Sequence, residues 1–192
     1  MGIKEDLVSC IPVAFIKEIE HIVRLPWTSE LDTSYYEKKF KLKYFINSER
    51  LQMPDRVYYT PFSNNTLESI PAIQRLIIAA LFSRHHNGHL REQSLDLLLT
   101  EPLPWVLPFI IQLSAEYILE INLKIAKSLD MLPKKAIGNF FKENPGYLDF
   151  TRQRMVSYWN CYDKINPEYK LFINHPAHKV LYFYENNIAL RD

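Results

Sequence analysis

A chain of 192 residues suits one ordinary domain, and 47% hydrophobic with 14% aromatic residues excludes a disordered one. Lys and Arg number 23 against 22 Asp and Glu, so the net charge of +1 lacks the basic excess of a generic nucleic-acid binder. Two cysteines, Cys10 and Cys161, make neither a disulfide framework nor a metal motif, and free thiols in a reducing cytoplasm are expected.

Glu5 and Asp6 stand where a secretory signal wants a basic region, and Asp6 breaks the myristoylation pattern that Gly2 begins. The apolar run 103–111 is short of the about 20 residues a bilayer span needs. The expected setting is cytoplasmic, with no membrane partner.

Residues 4–25 read as helix broken by Pro12, with Phe15, Ile16, Ile19, Ile22 and Val23 at three- and four-residue spacing. Between 27 and 62 the pattern is ambiguous. Phe40, Leu42, Tyr44 and Ile46 alternate with lysines as a strand would, yet Leu31, Tyr35, Leu42 and Phe45 fit a helix. An isolated strand needs a partner and none is evident, so the segment is assigned to helix, followed by a long connector.

From Asn65, a capping-box-like start with Glu68, the residues Leu67, Ile70, Ile73, Leu76, Ile77, Ala80 and Leu81 mark one apolar face. The turn 84–88 ends in Asn87-Gly88, a pair suited to left-handed backbone. The next helix places Leu90, Ser94, Leu97 and Leu98 on one side, and Pro104 opens a third. Residues 104–129 have no free polar face, as expected of helices flanked on both sides, and are placed at the centre of the stack. Further helices are expected near 137–141, over 147–162 with Leu148, Thr151, Met155, Trp159 and Tyr162 on one face, and over 177–187.

Leu90, Leu119 and Leu148 each begin a second helix of a candidate hairpin at a constant spacing, since 119 − 90 and 148 − 119 are both 29. The run Gly88-His89-Leu90-Arg91-Glu92-Gln93-Ser94-Leu95, with the helix pair 105–113 and 117–129, resembles HEAT-type α-solenoid units over about residues 66–129. Leu90, Arg91 and Ser94 match the opening of such a second helix. Glu120 and Leu123 depart from it in the next copy, and the spacing is below the ~40–47 residues usual there. The resemblance implies an all-α fold of stacked antiparallel helical hairpins. On that reading 1–192 is a single domain: an N-terminal helix and irregular arm (1–64), a stacked core (65–162) and a C-terminal cap (163–192).

Few constellations carry chemistry. His85, His86 and His89 are the one dense set of potential metal ligands, although they straddle a helix break and match no metalloprotease pattern. Arg152 and Arg154 lie beside Tyr158 and Trp159, a mixture that stacks bases or forms a protein hot spot. Trp159 is assigned to core and Arg154 and Tyr158 to surface; Arg91 joins them as a binding candidate. No nucleophile elbow or Gly-rich phosphate loop occurs, and the lysines at 38, 39, 41 and 43 read as a solvated face.

The reading that follows is a non-enzymatic protein-interaction module, an adaptor or an inhibitor of immunity type, with a protein partner and no cofactor. A second is a nucleic-acid protein resembling HEAT-like DNA glycosylases, using Arg152, Arg154, Trp159 and the 38–43 lysines. A third is a metal-dependent enzyme at His85, His86 and His89.

Overall fold

Prolines punctuate the helices. In the computed structural model, which describes residues 2–29 and 42–188, α1 (Ile3–Cys10) stops before Pro12 and α2 (Ile16–Ile22) follows a short 3-10 turn. Leu7, Cys10, Ile19 and Ile22 are buried, the face that helical spacing marks.

Residues 42–53 are a β-hairpin, which corrects the helical assignment. Strand β1 (Leu42–Ile46) pairs antiparallel with β2 (Glu49–Met53), Tyr44 opposite Leu51 and Ile46 opposite Glu49. The missing partner was the next segment along. Asn47 and Ser48 both take positive φ, 49° and 66°, as a two-residue type I′ turn requires. Tyr44, Ile46, Leu51 and Met53 point into the core while Lys43, Phe45 and Arg50 stay exposed. The hairpin lies on α1: Tyr44 Oη donates to Cys10 O at 2.8 Å and Ser9 Oγ to Gln52 O at 3.1 Å. The alternating residues at 40 and 41, and Leu31 and Tyr35, fall outside the described residues.

The helix expected from Asn65 onward is two helices. Ser63, not Asn65, caps α3 (Asn64–Glu68), accepting from Thr66 N, and Pro71 then separates it from α4 (Ala72–Phe82). Proline has no N–H to continue the ladder and clashes with the preceding turn, so one continuous helix is ruled out. Helix α5 (Gly88–Thr100) follows. The turn before it contains no left-handed residue; instead Asn87 Oδ1 accepts from His89 N at 2.9 Å and caps the new helix.

The chain divides into two compact units, Met1–Leu97 and Leu98–Asp192, with the boundary inside α5. The second contains α6 (Leu107–Ser114), α7 (Leu119–Lys127), α8 (Lys134–Glu143), α9 (Tyr147–Tyr158) and α10 (Pro176–Ile188). Every residue of α6 is buried, and α6 packs against α7 and α9. Helix α10 packs against α7, α8 and α9, so the segment expected as a cap supplies core to this unit. Tyr184 is fully buried there, its hydroxyl 3.3 Å from Ser114 Oγ. Most of the described chain is helical, as the sequence suggests; the hairpin is the exception.

One glycine fixes a helix crossing. A Cβ at Gly138 would lie 2.5 Å from the backbone O of Asn187, so α8 and α10 touch through bare backbone. Gly→Ala inside a helix ordinarily gains up to about 1 kcal/mol. Gly138→Ala is expected to reverse that sign and cost about 1–3 kcal/mol by overpacking, read from urea unfolding of the whole chain. A gain in stability would refute the close crossing.

Candidate functional site

The turn from α4 to α5 gathers four of the sequence candidates, and the structure uses two of them, His85 and Arg91, as scaffold. Arg91 is buried, and its Nη1 donates to His85 O at 2.8 Å and His86 O at 2.9 Å. Those carbonyls follow the end of α4, where no intrahelical donor remains for them. Arg91 is therefore withdrawn from any contact surface. His85 is equally committed: its Nδ1 accepts from Asn87 N at 3.0 Å, which leaves the proton on Nε2, 3.0 Å from Tyr59 O.

His86 is exposed and stacks on Tyr58 at 4.9 Å between ring centroids, and His89 is exposed in the first turn of α5. No group of three or more His, Cys, Asp or Glu among the described residues is placed to hold a metal ion. A buried ring with both nitrogens engaged beside a stacked one is the arrangement of a turn, not of convergent ligands.

Helix α9 separates the remaining candidates. Arg152 is neutralised on both sides, with Nη2 and Nε on Glu185 Oε1 at 2.7 and 3.2 Å and Nη1 on Asp149 Oδ1 at 2.7 Å. Trp159 is half-buried; its indole donates to Tyr169 O at 2.7 Å, and its ring meets Phe172 and the Lys164 ammonium. These contacts tie the end of α9 to the chain that follows.

Arg154 differs from both. Its Nε donates to Ala115 O at 3.2 Å, and its guanidinium lies over the Phe150 and Tyr158 rings, 5.5 Å from each centroid. Among the described residues no carboxylate comes within ion-pair distance of it. Next to it stand three tyrosines in mutual contact. Tyr117 is 5.9 Å from Tyr158 and 5.4 Å from Tyr162, and Tyr158 is 6.1 Å from Tyr162. Tyr117 and Tyr162 are 44% and 57% exposed, so the trio is a surface feature.

Helical spacing places Tyr162 on the buried face of α9, but it is 57% exposed. Past Tyr158 the helix widens into a π-turn over Trp159–Asp163, where Lys164 N donates five residues back to Trp159 O. The extra residue in that turn moves the following side chains off the 3.6-residue register, and Tyr162 leaves the core. Tyr117 carried no sequence signal beyond its place at a helix opening. The lysines at 38, 39 and 41 lie outside the described residues; Lys43 is exposed on β1.

Where the chain turns back toward α10, His175 is buried, and Tyr169 and Phe172 flank its ring. Its Nδ1 accepts from Ala177 N at 3.2 Å and Nε2 lies 3.2 Å from Asp163 Oδ2. Burial lowers its pKa from the ordinary 6.5, more than the Asp163 carboxylate raises it.

Two stability measurements test these assignments. Arg91→Met strands two carbonyls and is expected to cost about 2–4 kcal/mol, whereas Arg152→Met, which removes an exposed pair, should cost under about 1 kcal/mol. Equal small losses in urea unfolding would return Arg91 to the surface. For His175 the folded pKa is depressed, so the unfolded chain takes up the proton first. The stability it contributes is complete above pH 6.5 and declines as pH falls from there toward the folded value. His175→Asn keeps an acceptor for Ala177 N but cannot titrate. Unfolding midpoints from about pH 7.5 to about 5.5 should therefore fall more steeply for the native chain than for this variant.

No family model, curated protein or solved structure matches this chain.

Proposed function

We propose that the chain is a non-enzymatic protein-interaction module and that Arg154, Tyr117, Tyr158 and Tyr162 form its contact face. One observation carries this reading: a cation with no carboxylate counterpart among the described residues sits on an exposed, self-contacting set of three tyrosines. Arg and Tyr are the residue types in which interface energy concentrates, because each offers a large apolar plane with a polar tip and loses little rotamer freedom on docking.

Exposed aromatic area has a hydration cost that a partner would relieve. The Tyr162 hydroxyl, without a hydrogen bond to any described residue, adds an orienting group. Arg152, already neutralised by Asp149 and Glu185, offers a partner little beyond the packing of its stem. The same pairing weighs against a nucleic-acid groove on α9, since two carboxylates beside the backbone phosphates would repel them.

The stacked-hairpin likeness belongs to this proposal. Helices α5, α7 and α9 begin at Gly88, Leu119 and Tyr147, which puts Leu90, Leu119 and Leu148 in corresponding first turns. In stacked helical hairpins generally, such helices present an extended surface suited to protein partners, as adaptor or inhibitor.

The test is affinity capture from the native cell with quantitative mass spectrometry, comparing the native chain with Arg154→Glu and Tyr162→Ala. One dominant partner should be recovered, its retention falling at least about tenfold in each variant, the loss of one hot-spot contact. Tyr162→Ala guards against a folding defect from Arg154→Glu, because its phenol bonds to nothing described. Undiminished recovery by both variants would sink the assignment of this face.

A further inference from the structure

The N-terminal unit contains a cleft that the protein-binding reading does not use. It lies between α4, α5 and the chain around α3, with a volume of about 160 Å³. Ile78, Ala79 and Phe82, all buried, form the floor, and Phe62, Leu67 and Leu90 form walls that stay half-exposed at the mouth. The spacing explains the shape. Arg75, Ile78, Ala79 and Phe82 recur every three or four residues along α4, and Leu90, Ser94 and Leu97 do so along α5. Two helical faces thus look at one space that no described side chain fills.

Among the described residues one charged group lines this space. Arg75 Nη1 donates to Ile70 O at 3.0 Å and Leu67 O at 3.5 Å, which tethers the guanidinium across the α3–α4 break. Its Nε and Nη2 have no hydrogen-bond partner, and no carboxylate lies within ion-pair distance, among the described residues. A planar guanidinium fixed by one edge presents its other donors as a fork matched to a carboxylate. Ser94 Oγ, which spends its proton on Leu90 O at 2.7 Å, adds only acceptor capacity nearby.

We propose that this cleft binds a small amphiphilic carboxylic acid: one aromatic ring or branched alkyl group seated on Ile78, Ala79 and Phe82, with its single carboxylate on Arg75. The volume sets the size. An engineered apolar cavity of about 150 Å³ accepts one benzene, so 160 Å³ suits one ring rather than a fused or drug-sized ligand. The charge sets the class: an amine would meet the Arg75 cation, and a neutral hydrocarbon would leave the unsatisfied donors unused.

The whole chain, labelled with 15N, is titrated with phenylacetate, benzylamine and toluene while amide shifts are followed. Phenylacetate is expected to shift Phe62, Ala79 and Leu90 in a saturable way, and to bind at least tenfold more tightly than toluene or benzylamine. Arg75→Met should bring phenylacetate down to the level of toluene and leave toluene unchanged. Ala79→Leu, which fills the floor without touching Arg75, should abolish both. That second variant keeps the test sound if Arg75→Met disturbs the α3–α4 break. The absence of localised shifts at about 10 mM phenylacetate, ten times a millimolar Kd, overturns the proposal. Toluene or benzylamine binding as well as the acid also overturns it, and would mark the cleft as a receptacle for any apolar group, a partner's side chain included.

Discussion

Arg84 and Arg91 are the bulkiest side chains in the described chain to be wholly withdrawn from water, and the N-terminal unit is arranged around keeping them solvated by backbone. Burying a guanidinium costs several kcal/mol unless its donors are met. Arg84 gives Nε to Pro54 O and Nη2 to Asp55 O, and Arg91 gives Nη1 to His85 O and His86 O. Backbone completes the stitch, with Val57 N donating to Arg84 O and His86 N to Val57 O. The long connector of the sequence is thereby, around residues 54–59, an arm packed on the α4–α5 turn. Because that turn is held from both sides, the angle between α4 and α5 is held too, and with it the cleft beside Arg75.

The C-terminal unit solves its packing differently. Its constraint is proximity: α8 and α10 meet at Gly138 and the Asn187 carbonyl, closer than any side chain allows. That contact draws α10 into the middle of α7, α8 and α9, where Tyr184 reaches Ser114. The π-turn after α9 follows from the same economy. Trp159 must reach Tyr169 O, and His175 must cap α10 while facing Asp163. Widening the helix there meets these demands and leaves Tyr162 outside.

Much of the helical order is legible in the residues, and its failures have physical causes. Pro12, Asn144-Pro145-Gly146 and the leucines at 90, 119 and 148 mark real boundaries, because proline and a left-handed glycine act locally: Gly146 sits at φ 87°. The hairpin escapes the pattern because its turn is Asn47-Ser48 without glycine, and because a strand with one solvated face keeps few apolar residues. Pro71 escapes the periodicity because apolar residues continue at helical spacing across it, from Leu67 and Ile70 to Ile73 and Leu76, although α3 itself buries none of its residues. Tyr162 escapes the periodicity because that presumes a constant 3.6 residues per turn, and one wider turn cancels it for everything after.

The candidate site shows the sharper limit, since residue type alone does not tell scaffold from contact. Arg91, Arg152 and Arg154 look interchangeable in the chain, yet each guanidinium meets a different demand. Arg91 satisfies carbonyls at a helix end, Arg152 balances Asp149 and Glu185, and Arg154 gives one donor to Ala115 O and rests on aromatic rings with no opposing charge among the described residues. A cation already matched by anions or carbonyls gains little from a ligand, because binding would exchange one set of hydrogen bonds for another. One held in place by ring faces or by a single edge keeps donors for an incoming group at little further cost in ordering. Arg154 and Arg75 both meet that condition, one over exposed tyrosines and one at an apolar cleft. This difference in remaining hydrogen-bonding capacity, rather than the presence of arginine, histidine or tryptophan, is the ground on which these two places are proposed as sites of recognition.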